Sequence, residues 1–304
     1  MTNYNKSYIC IVFSGILLGT IPIFAKLLTQ QNIGSLIQIL SRLVIPIITY
    51  LIFIFFFTRD SNFFPNRNEY PLFLINGLLL FLAFTTYILS IFLGTSPVKA
   101  ILLIKLHPIF ALILANTFLK EKISFNKLFA IIIGVLGAAI TIKFWEINSL
   151  IVMQKSDFFA LANSILYASI VVYGRYNIGN ELSNPFNMTI WSFIFAFTWL
   201  IFFIFVILIF NESYLISSML KFNFNYKVLL YIIGMGILST ALPYMLMYYG
   251  LKNISSSNAG ILLLIEPISV FILAAFILKD KIYLYQLVGG SLILSSYSLL
   301  YIKD

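Results

Sequence analysis

Two stretches of the chain, KLHPIFALILANTFLKEK at residues 105–122 and LIEPISVFILAAFILKDK at residues 264–281, share one pattern. Each has a proline near its start, then a long apolar run, and ends with an acidic residue between two lysines. Pro108 and Pro267 are 159 positions apart, and the two acidic residues have the same offset. Two features at one offset predict an internal repeat, so that the chain consists of two related halves.

The composition around these stretches is that of a membrane protein. Hydrophobic residues make up 61% of the 304 residues and charged residues only 10%, whereas a soluble domain is about half apolar and about a quarter charged. A water-soluble enzyme would lack a polar surface at this composition, and a disordered chain would be far less apolar. Because one membrane-crossing helix takes ~20 apolar residues, the chain has room for roughly ten crossings.

Apolar runs bounded by charged or turn residues predict ten membrane helices. Helix is favoured over strand because the runs are continuously apolar and backbone groups in lipid must pair within their own segment. The predicted spans are Ser7–Ala25, Leu43–Thr58, Tyr70–Val98, Leu106–Leu119, Leu128–Ile142, Phe158–Gly174, Leu182–Asn211, Val228–Leu251, Asn253–Leu278 and Ile282–Ile302.

The repeat divides the predicted spans into five for each half, at residues 1–146 and 147–304. An odd number of crossings inverts the second half relative to the first. Inverted repeats are typical of alternating-access transporters, whose substrate site lies between the halves near the middle of the membrane. The sequence therefore predicts an all-α integral membrane protein, with two inverted five-helix repeats around a central cavity.

The doubled motif resembles the EamA-type, ten-helix branch of the drug/metabolite transporter superfamily. His107-Pro108 and Glu266-Pro267, the lysine-flanked acidic turns and the glycines of the fifth and tenth helices carry the resemblance. It implies that helices one to four and six to nine surround a central cavity, with helices five and ten packed outside. It also implies a cell (inner) membrane location with both termini in the cytoplasm. Lys120 and Lys279 stand where this family usually has glycine.

Ionisable groups in the middle of membrane helices are candidates for function because charge is costly there. Glu266 could bind a substrate cation or a proton, or it could be a packing carboxyl beside a proline kink. Lys105 could pair with Glu266, bind a substrate carboxylate, or reach the headgroups. His107 could titrate near neutral pH or simply pack. An ammonium and a carboxylate together would fit a zwitterionic substrate.

Further candidates for the cavity lining are polar or aromatic. Arg42 opens the second predicted helix, where it could attract anions or anchor the helix at the surface. The other candidates could stack on a substrate or donate hydrogen bonds to it, or could pack against neighbouring helices. They are Tyr87, Asn163, Tyr167, Trp191, Tyr244 and Tyr248.

Five prolines, Pro22, Pro46, Pro108, Pro243 and Pro267, lie inside apolar runs. Proline removes a helix hydrogen bond, so each predicts a kink, which could be a hinge or a static bend. Pro108 and Pro267 are the predicted hinges because the repeat pairs them.

The other charges predict helix ends and headgroup contacts. We expect Glu121 and Asp280 to be turn partners for their flanking lysines, and Lys99 to lie at the outer surface. With the single cysteine, Cys10, and the single histidine, no catalytic residue, cofactor or metal site is expected. The expected partners are a small-molecule substrate and the lipid bilayer but no nucleic acid, and a homodimer is left open.

These observations predict a secondary transporter or facilitator that moves a small metabolite by alternating access, with export as the expected direction. The expected cargo is an amino acid or a related amphipathic compound. The alternative is a membrane-embedded enzyme or flippase acting on a lipid-linked substrate.

Overall fold

The computed structural model describes residues 3–57, 64–95, 97–146, 154–209, 220–223 and 225–301, and within them all regular structure is helical. The predicted join between residues 146 and 147 and the predicted helix ends at Thr58, Asn211 and Ile302 lie outside these residues. Where a short break separates two consecutive helical segments, both segments are given the same helix number. The helices are α1 (Asn3–Leu18 and Ile21–Gln30), α2 (Ser35–Phe57), α3 (Tyr70–Phe92), α4 (Pro97–Ile104 and His107–Leu119), α5 (Phe125–Thr141), α6 (Asp157–Gly179), α7 (Pro185–Ile209), α8 (Tyr226–Gly236 and Leu242–Leu251), α9 (Ser256–Leu262 and Glu266–Ile277) and α10 (Leu284–Ser298).

The lengths of these helices identify a multi-pass membrane protein. Eight of them, α1 to α4 and α6 to α9, are long and apolar enough to cross a membrane. Of the other two, α5 is a shorter apolar helix of 17 residues and α10 has 15 residues. The ten crossings predicted from the sequence are therefore matched, in the described part of the chain, by eight long spans and one shorter apolar helix.

Several helices extend past the charged residues that bounded the predicted spans. Helix α2 begins at Ser35 rather than at Leu43, so Arg42 lies inside it. Helix α4 begins at Pro97 rather than at Leu106. The boundaries were wrong because buried partners accommodate some of these charges inside the protein, and such a charge does not mark the end of a helix.

Four helices, α1, α4, α8 and α9, are interrupted, and each resumes with a residue followed by proline. Pro22, Pro108, Pro243 and Pro267 hold these positions. Proline suits the first turn of a helix because the N–H it lacks has no partner there. The regular α-helix is interrupted just before these four prolines, in α8 by the π-helical turn Ile237–Ala241, whereas Pro46 lies inside the unbroken α2.

The break in α4 is stabilised by side chains that replace the missing proline N–H. Pro108 cannot donate to the carbonyl of Ile104, four residues earlier. His107 Nδ1 lies 3.2 Å from that carbonyl oxygen, and the Ser164 hydroxyl donates to it over 3.2 Å. Helix α9 has a 3₁₀ turn, Leu263–Ile265, at the repeat-related position. The two halves are therefore interrupted at the same place in the repeat.

Repeat-related helices pack against each other in opposite directions. In the α4–α9 pair, Gly260 lies against Pro108 and Ala111, while Glu121, beyond the end of α4, reaches Ser256 at the start of α9. As α4 runs forward from Pro108, the chain of α9 beside it therefore runs backward.

The α5–α10 pair is a close antiparallel contact between backbones. A Cβ on Gly137 would lie 2.7 Å from the carbonyl oxygen of Gly289, and Gly134 lies beside Ser296. Only glycine allows the two helices to approach this closely. Gly137 of the fifth helix and Gly289 of the tenth therefore meet each other across the repeat.

Candidate functional site

A cavity of about 510 Å³ lies among α1 to α6 and α8 to α10. The expectation that the fifth and tenth helices pack outside the cavity was wrong, because the ends of α5 and α10 contribute to its lining, whereas no described residue of α7 does. The walls of the cavity come from both halves of the chain, and the helix breaks of α1, α4 and α9 contribute to it. It contains eight of the ten side chains that the sequence predicted for a cavity, and the hinge residue Pro267. These eight are Arg42, Tyr87, Lys105, His107, Asn163, Tyr167, Tyr244 and Glu266.

An ion pair between Lys105 and Glu266 crosses the cavity wall. Lys105 Nζ lies 2.6 Å from Glu266 Oε2, and the two side chains are 5% and 19% exposed. Lys105 lies in the break of α4, and Glu266 begins the second segment of α9. The pair therefore joins the two repeat-related breaks. Of the partners that the sequence left open for Lys105, the structure selects Glu266.

Arg42 presents its guanidinium to the same cavity without a carboxylate partner. Its Cζ lies 4.0 Å from the ring centroid of Phe84, a cation–π contact. Its Nε donates to Thr240 Oγ1 over 3.3 Å. Among the described residues no carboxylate oxygen lies within 4.0 Å of Arg42, and neither Nη atom donates a hydrogen bond to the protein. Both Nη atoms are therefore available to a ligand.

His107, Tyr167 and Asn163 form the wall between α4 and α6. The His107 ring is 1% exposed and lies edge-on to Tyr167, with ring centroids 4.9 Å apart. The Tyr167 hydroxyl is buried and has no hydrogen-bond partner in the described part of the protein. The Asn163 amide donates to Ala83 O and, over 3.3 Å, to Thr86 Oγ1, which fixes α6 against α3.

Tyr87 and Tyr244 lie near Arg42. Both are within electrostatic range of the guanidinium, as is Glu266. Tyr244 packs edge-on against Phe84, with ring centroids 6.2 Å apart. This end of the cavity therefore combines one cation with aromatic rings and hydroxyl groups.

The structure places Tyr248 and Trp191 away from the cavity. Tyr248 is fully buried, and its hydroxyl accepts a 2.6 Å hydrogen bond from Asn76, which also donates to Ser192 over 2.7 Å. Trp191 lies edge-on to Tyr70 at the start of α3, with ring centroids 5.7 Å apart. Both residues hold α3, α7 and α8 together, which a helical sequence with many aromatics does not distinguish from cavity lining.

Comparison with known proteins agrees with this architecture. The sequence profile of the EamA-like transporter family matches residues 5–143 and 154–302. The chain belongs to this family. An Archaeoglobus fulgidus protein described as an uncharacterized transporter is 26% identical over 288 residues, which cover 94% of this chain and 92% of that protein. A solved chain described only as a crystal structure of a protein has the same fold, with a TM-score of 0.76 at 12% identity and 97% of each chain covered.

The two family matches confirm the resemblance and the doubling of one domain. They and the relative point to a membrane transporter rather than an enzyme.

The cavity of this EamA-family chain opens at the turn between α9 and α10. Asp280, Lys281 and Tyr283 line the cavity there and are exposed to solvent. Asp280 pairs with Lys26 of α1 at 3.3 Å, both side chains being about half exposed. The prediction that Asp280 pairs with its flanking lysines was therefore wrong. Its partner comes from a helix that is remote in sequence.

Two stacked tyrosines and a lysine form one rim of this opening. The rings of Tyr283 and Tyr285 are 5.5 Å apart and nearly parallel, and Lys143 Nζ lies 5.5 Å and 5.0 Å from their centroids. Lys143 also donates to Glu146 Oε1 over 2.8 Å, and this hydrogen bond raises the pKa of the Lys143 ammonium. These tyrosines could not be predicted from the sequence, because nothing in their spacing separates them from interfacial aromatics.

At the other end of α9, charged side chains hold the α8–α9 turn, and none of them lines the cavity. Glu121 accepts hydrogen bonds from the backbone N–H groups of Ser256 and Ser257, over 2.8 Å and 3.3 Å, and from the Ser257 hydroxyl over 2.7 Å. Arg175 donates to the carbonyls of Leu251 and Lys252 over 2.7 Å and 2.6 Å. A carboxylate at a helix start and a cation at a helix end both complement the helix dipole. The predicted pairing of Glu121 with its flanking lysines was wrong.

A second buried ion pair, Lys99 with Asp157, joins α4 to α6. Nζ and Oδ2 are 2.6 Å apart, and the side chains are 2% and 1% exposed. Asp157 also accepts from Thr95 Oγ1 over 2.9 Å and from the backbone N–H of Gln154 over 2.8 Å. The expectation that Lys99 lies at the outer surface was wrong, because its partner is supplied by the start of α6.

Proposed function

We propose that this protein is a secondary transporter that moves a small metabolite by alternating access. The observation that carries the proposal is the cavity of about 510 Å³, whose described lining includes the exposed Asp280 turn but no residue of the Glu121 turn. A cavity lined by both halves and accessible from one side is what one state of such a cycle requires. Family membership supports transport independently of this geometry.

The antiparallel packing of α4 with α9 and of α5 with α10 supports an inverted relation between halves at 1–146 and 147–304. An inverted pair provides two equivalent turns, at Glu121 and Asp280, on opposite ends of the cavity. In the described conformation Glu121 holds α9 closed, while Asp280 makes only an exposed pair with Lys26. In the opposite state the Asp280 end would close.

The breaks at Pro108 and Pro267 are the proposed hinges. Each separates two helical segments, and the Lys105–Glu266 pair links one break to the other. Movement at one break is therefore transmitted to the other half. Because the N-terminus of α1 lies near the closed end, where Ser7 accepts from Asn253 over 2.8 Å, cytoplasmic termini would make this state open to the outside.

A small amphipathic metabolite fits a cavity that combines charge, hydroxyl groups and aromatic rings; the sequence alone suggested an amino acid or a related compound. We propose the cell (inner) membrane as its location and export as its direction. The alternative, a membrane enzyme or flippase for a lipid-linked substrate, receives no support from the family match or from the named relative.

Counterflow in proteoliposomes, with a panel of labelled amino acids and related metabolites, tests the proposal. Glu266→Gln and Lys105→Ala should both slow exchange per molecule of folded protein without abolishing expression, whereas Lys6→Ala, at an exposed lysine of α1, should leave exchange unchanged. Normal exchange by both cavity variants would remove the proposed role of the ion pair. If folded protein gives no flux with any member of the panel, the result would count against transport. A pH gradient imposed across the vesicle membrane separates proton coupling from facilitated diffusion.

A further inference from the structure

We propose that the cargo carries one net negative charge, as a carboxylate bound by Arg42, on an apolar body. The inference rests on the proposed transport function and defines the charge class of the cargo. It revises the zwitterion that the charge signs alone suggested, because the structure shows which of the cavity charges are already paired.

The charge balance of the cavity is positive. Among the described residues its charged lining consists of three cations, Arg42, Lys105 and Lys281, and two anions, Glu266 and Asp280. Inside the cavity Lys105 and Glu266 neutralise each other at 2.6 Å. Asp280 is paired at the mouth with a lysine of α1. Of these described charges, the one that remains unbalanced in the interior is the guanidinium of Arg42.

Glu266 does not offer a substrate ammonium an unbalanced negative charge, because its Oε2 is paired with Lys105 at 2.6 Å. An ammonium that bound the other carboxylate oxygen would be a second cation on one carboxylate and would be repelled by Lys105 and Arg42. An ammonium that displaced Lys105 would leave a buried charge without its partner, which is strongly destabilising. A cargo with a carboxylate and no ammonium avoids both costs.

Arg42 is held in a position suited to a carboxylate. One face of the guanidinium stacks on Phe84 and Nε is bonded to Thr240, which leaves the two Nη atoms for the forked contact that carboxylates accept. Tyr167 supplies a second observation that points to a ligand, because its buried hydroxyl in the cavity has no partner among the described residues.

The rest of the interior lining favours an apolar body. Much of the lining is aliphatic or aromatic, and Arg42 itself lies on an aromatic ring. The apolar lining residues are Leu18, Ile21, Ile101, Ile104, Val270 and Phe271. A small dicarboxylate or a sugar phosphate would leave these walls without contact and would bring more charge than Arg42 can balance.

Three probes with one body test the inference: 3-phenylpropionate, phenylalanine and 2-phenylethylamine, which are an anion, a zwitterion and a cation at neutral pH. Binding to the purified full-length protein is measured by calorimetry, and exchange by counterflow in proteoliposomes. We expect 3-phenylpropionate to bind best. Arg42→Gln should weaken its binding about 10- to 100-fold, the range of one charge-assisted hydrogen bond, and Arg42→Lys should weaken it less.

Arg67→Gln is the matched control, because it removes the same charge from an exposed arginine before α3. It should leave the binding of all three probes unchanged. If Arg42→Gln fails to fold, the order of binding affinities of the three probes for the unmodified protein still tests the inference. Preferred binding of phenylalanine or phenylethylamine, or an unchanged ranking in folded Arg42→Gln, would overturn the inference and leave transport standing. If folded protein binds and exchanges none of the three, the inference also fails, and the wider cargo panel decides on transport itself.

Discussion

Removal of one partner from the Lys105–Glu266 pair should destabilise the protein far more than removal of an exposed charge. The two charged atoms are 2.6 Å apart, and the side chains are 5% and 19% exposed. Leaving one charge of a buried pair without its partner costs about 3–5 kcal/mol. Because Glu266 faces a cavity that admits water, we expect the lower end, about 3 kcal/mol for Glu266→Gln or Lys105→Met.

The assay is a double-mutant cycle on thermal unfolding in detergent, with Glu266→Gln, Lys105→Met and the double variant. The double variant removes both charges, so it should be more stable than either single variant, with a coupling energy of about 2 kcal/mol or more. The matched control is the exposed pair of Lys26 and Asp280, at 3.3 Å and about half exposed. Its coupling should be below about 1 kcal/mol.

Additive effects at Lys105 and Glu266, or a coupling no larger than that of the exposed pair, would refute this reasoning. Such a result would mean that water in the cavity screens both charges as effectively as bulk solvent does. The short distance between the two charged groups would then not mean that the breaks of α4 and α9 are energetically coupled.

Three further perturbations have defined outcomes in thermal unfolding. Glu121→Gln should lower stability by about 1–2 kcal/mol, because a neutral amide makes weaker bonds to the α9 start than a carboxylate does; an unchanged midpoint would exclude the cap. Asp157→Asn should cost about 3 kcal/mol, because Lys99 loses its buried carboxylate, and Lys99→Met in the same chain should recover part of the loss. Lys279→Gly should stabilise the protein by about 0.5–1 kcal/mol, since φ is +58° at this residue. The same change at the exposed Lys281, where φ is not positive, should give no such gain. Equal effects at the two sites would contradict the backbone explanation.

The repeat was readable from the sequence because its features are local. A proline, an apolar run and a lysine-flanked acid recur at one offset, and the family match covers both copies. The structure adds that Lys120 and Lys279, at equivalent positions, both have left-handed φ values of +54° and +58°. This is the conformation for which glycine is the usual residue, so the backbone of the turn is kept although the side chain differs.

The helix boundaries and the contacts of Glu121 could not be predicted from the sequence, because they depend on pairing between residues far apart in the chain. Charge was taken to mark the ends of helices, which holds for an unpaired charge in lipid. Lys99 and Arg42 lie inside helices because Asp157 and Phe84, both distant in sequence, accommodate them. Glu121 likewise binds a helix start more than a hundred residues later in the chain.

The cavity residues also differ in whether they could be predicted from the sequence. Charged and polar candidates at membrane depth were found because charge there is costly, and Glu266 and Arg42 do line the cavity. Aromatic cavity residues are harder to predict, because the hydroxyl of a tyrosine such as Tyr248 can form its hydrogen bond with another helix instead of facing the cavity. The tyrosines of the rim, Tyr283 and Tyr285, depend on how the α9–α10 turn folds over the opening, which spacing does not report.

The two buried ion pairs also bear on how the chain is made. Both lysines, Lys99 and Lys105, belong to α4, whereas both carboxylates, Asp157 and Glu266, belong to the second half. A first half that enters the bilayer alone therefore carries two lysines without the carboxylates that later pair with them. A lysine near the membrane centre costs about 2.5–3.5 kcal/mol, and Glu266 is synthesised 161 residues after Lys105. We therefore expect the first half on its own to be less stable in the bilayer than it is within the complete chain.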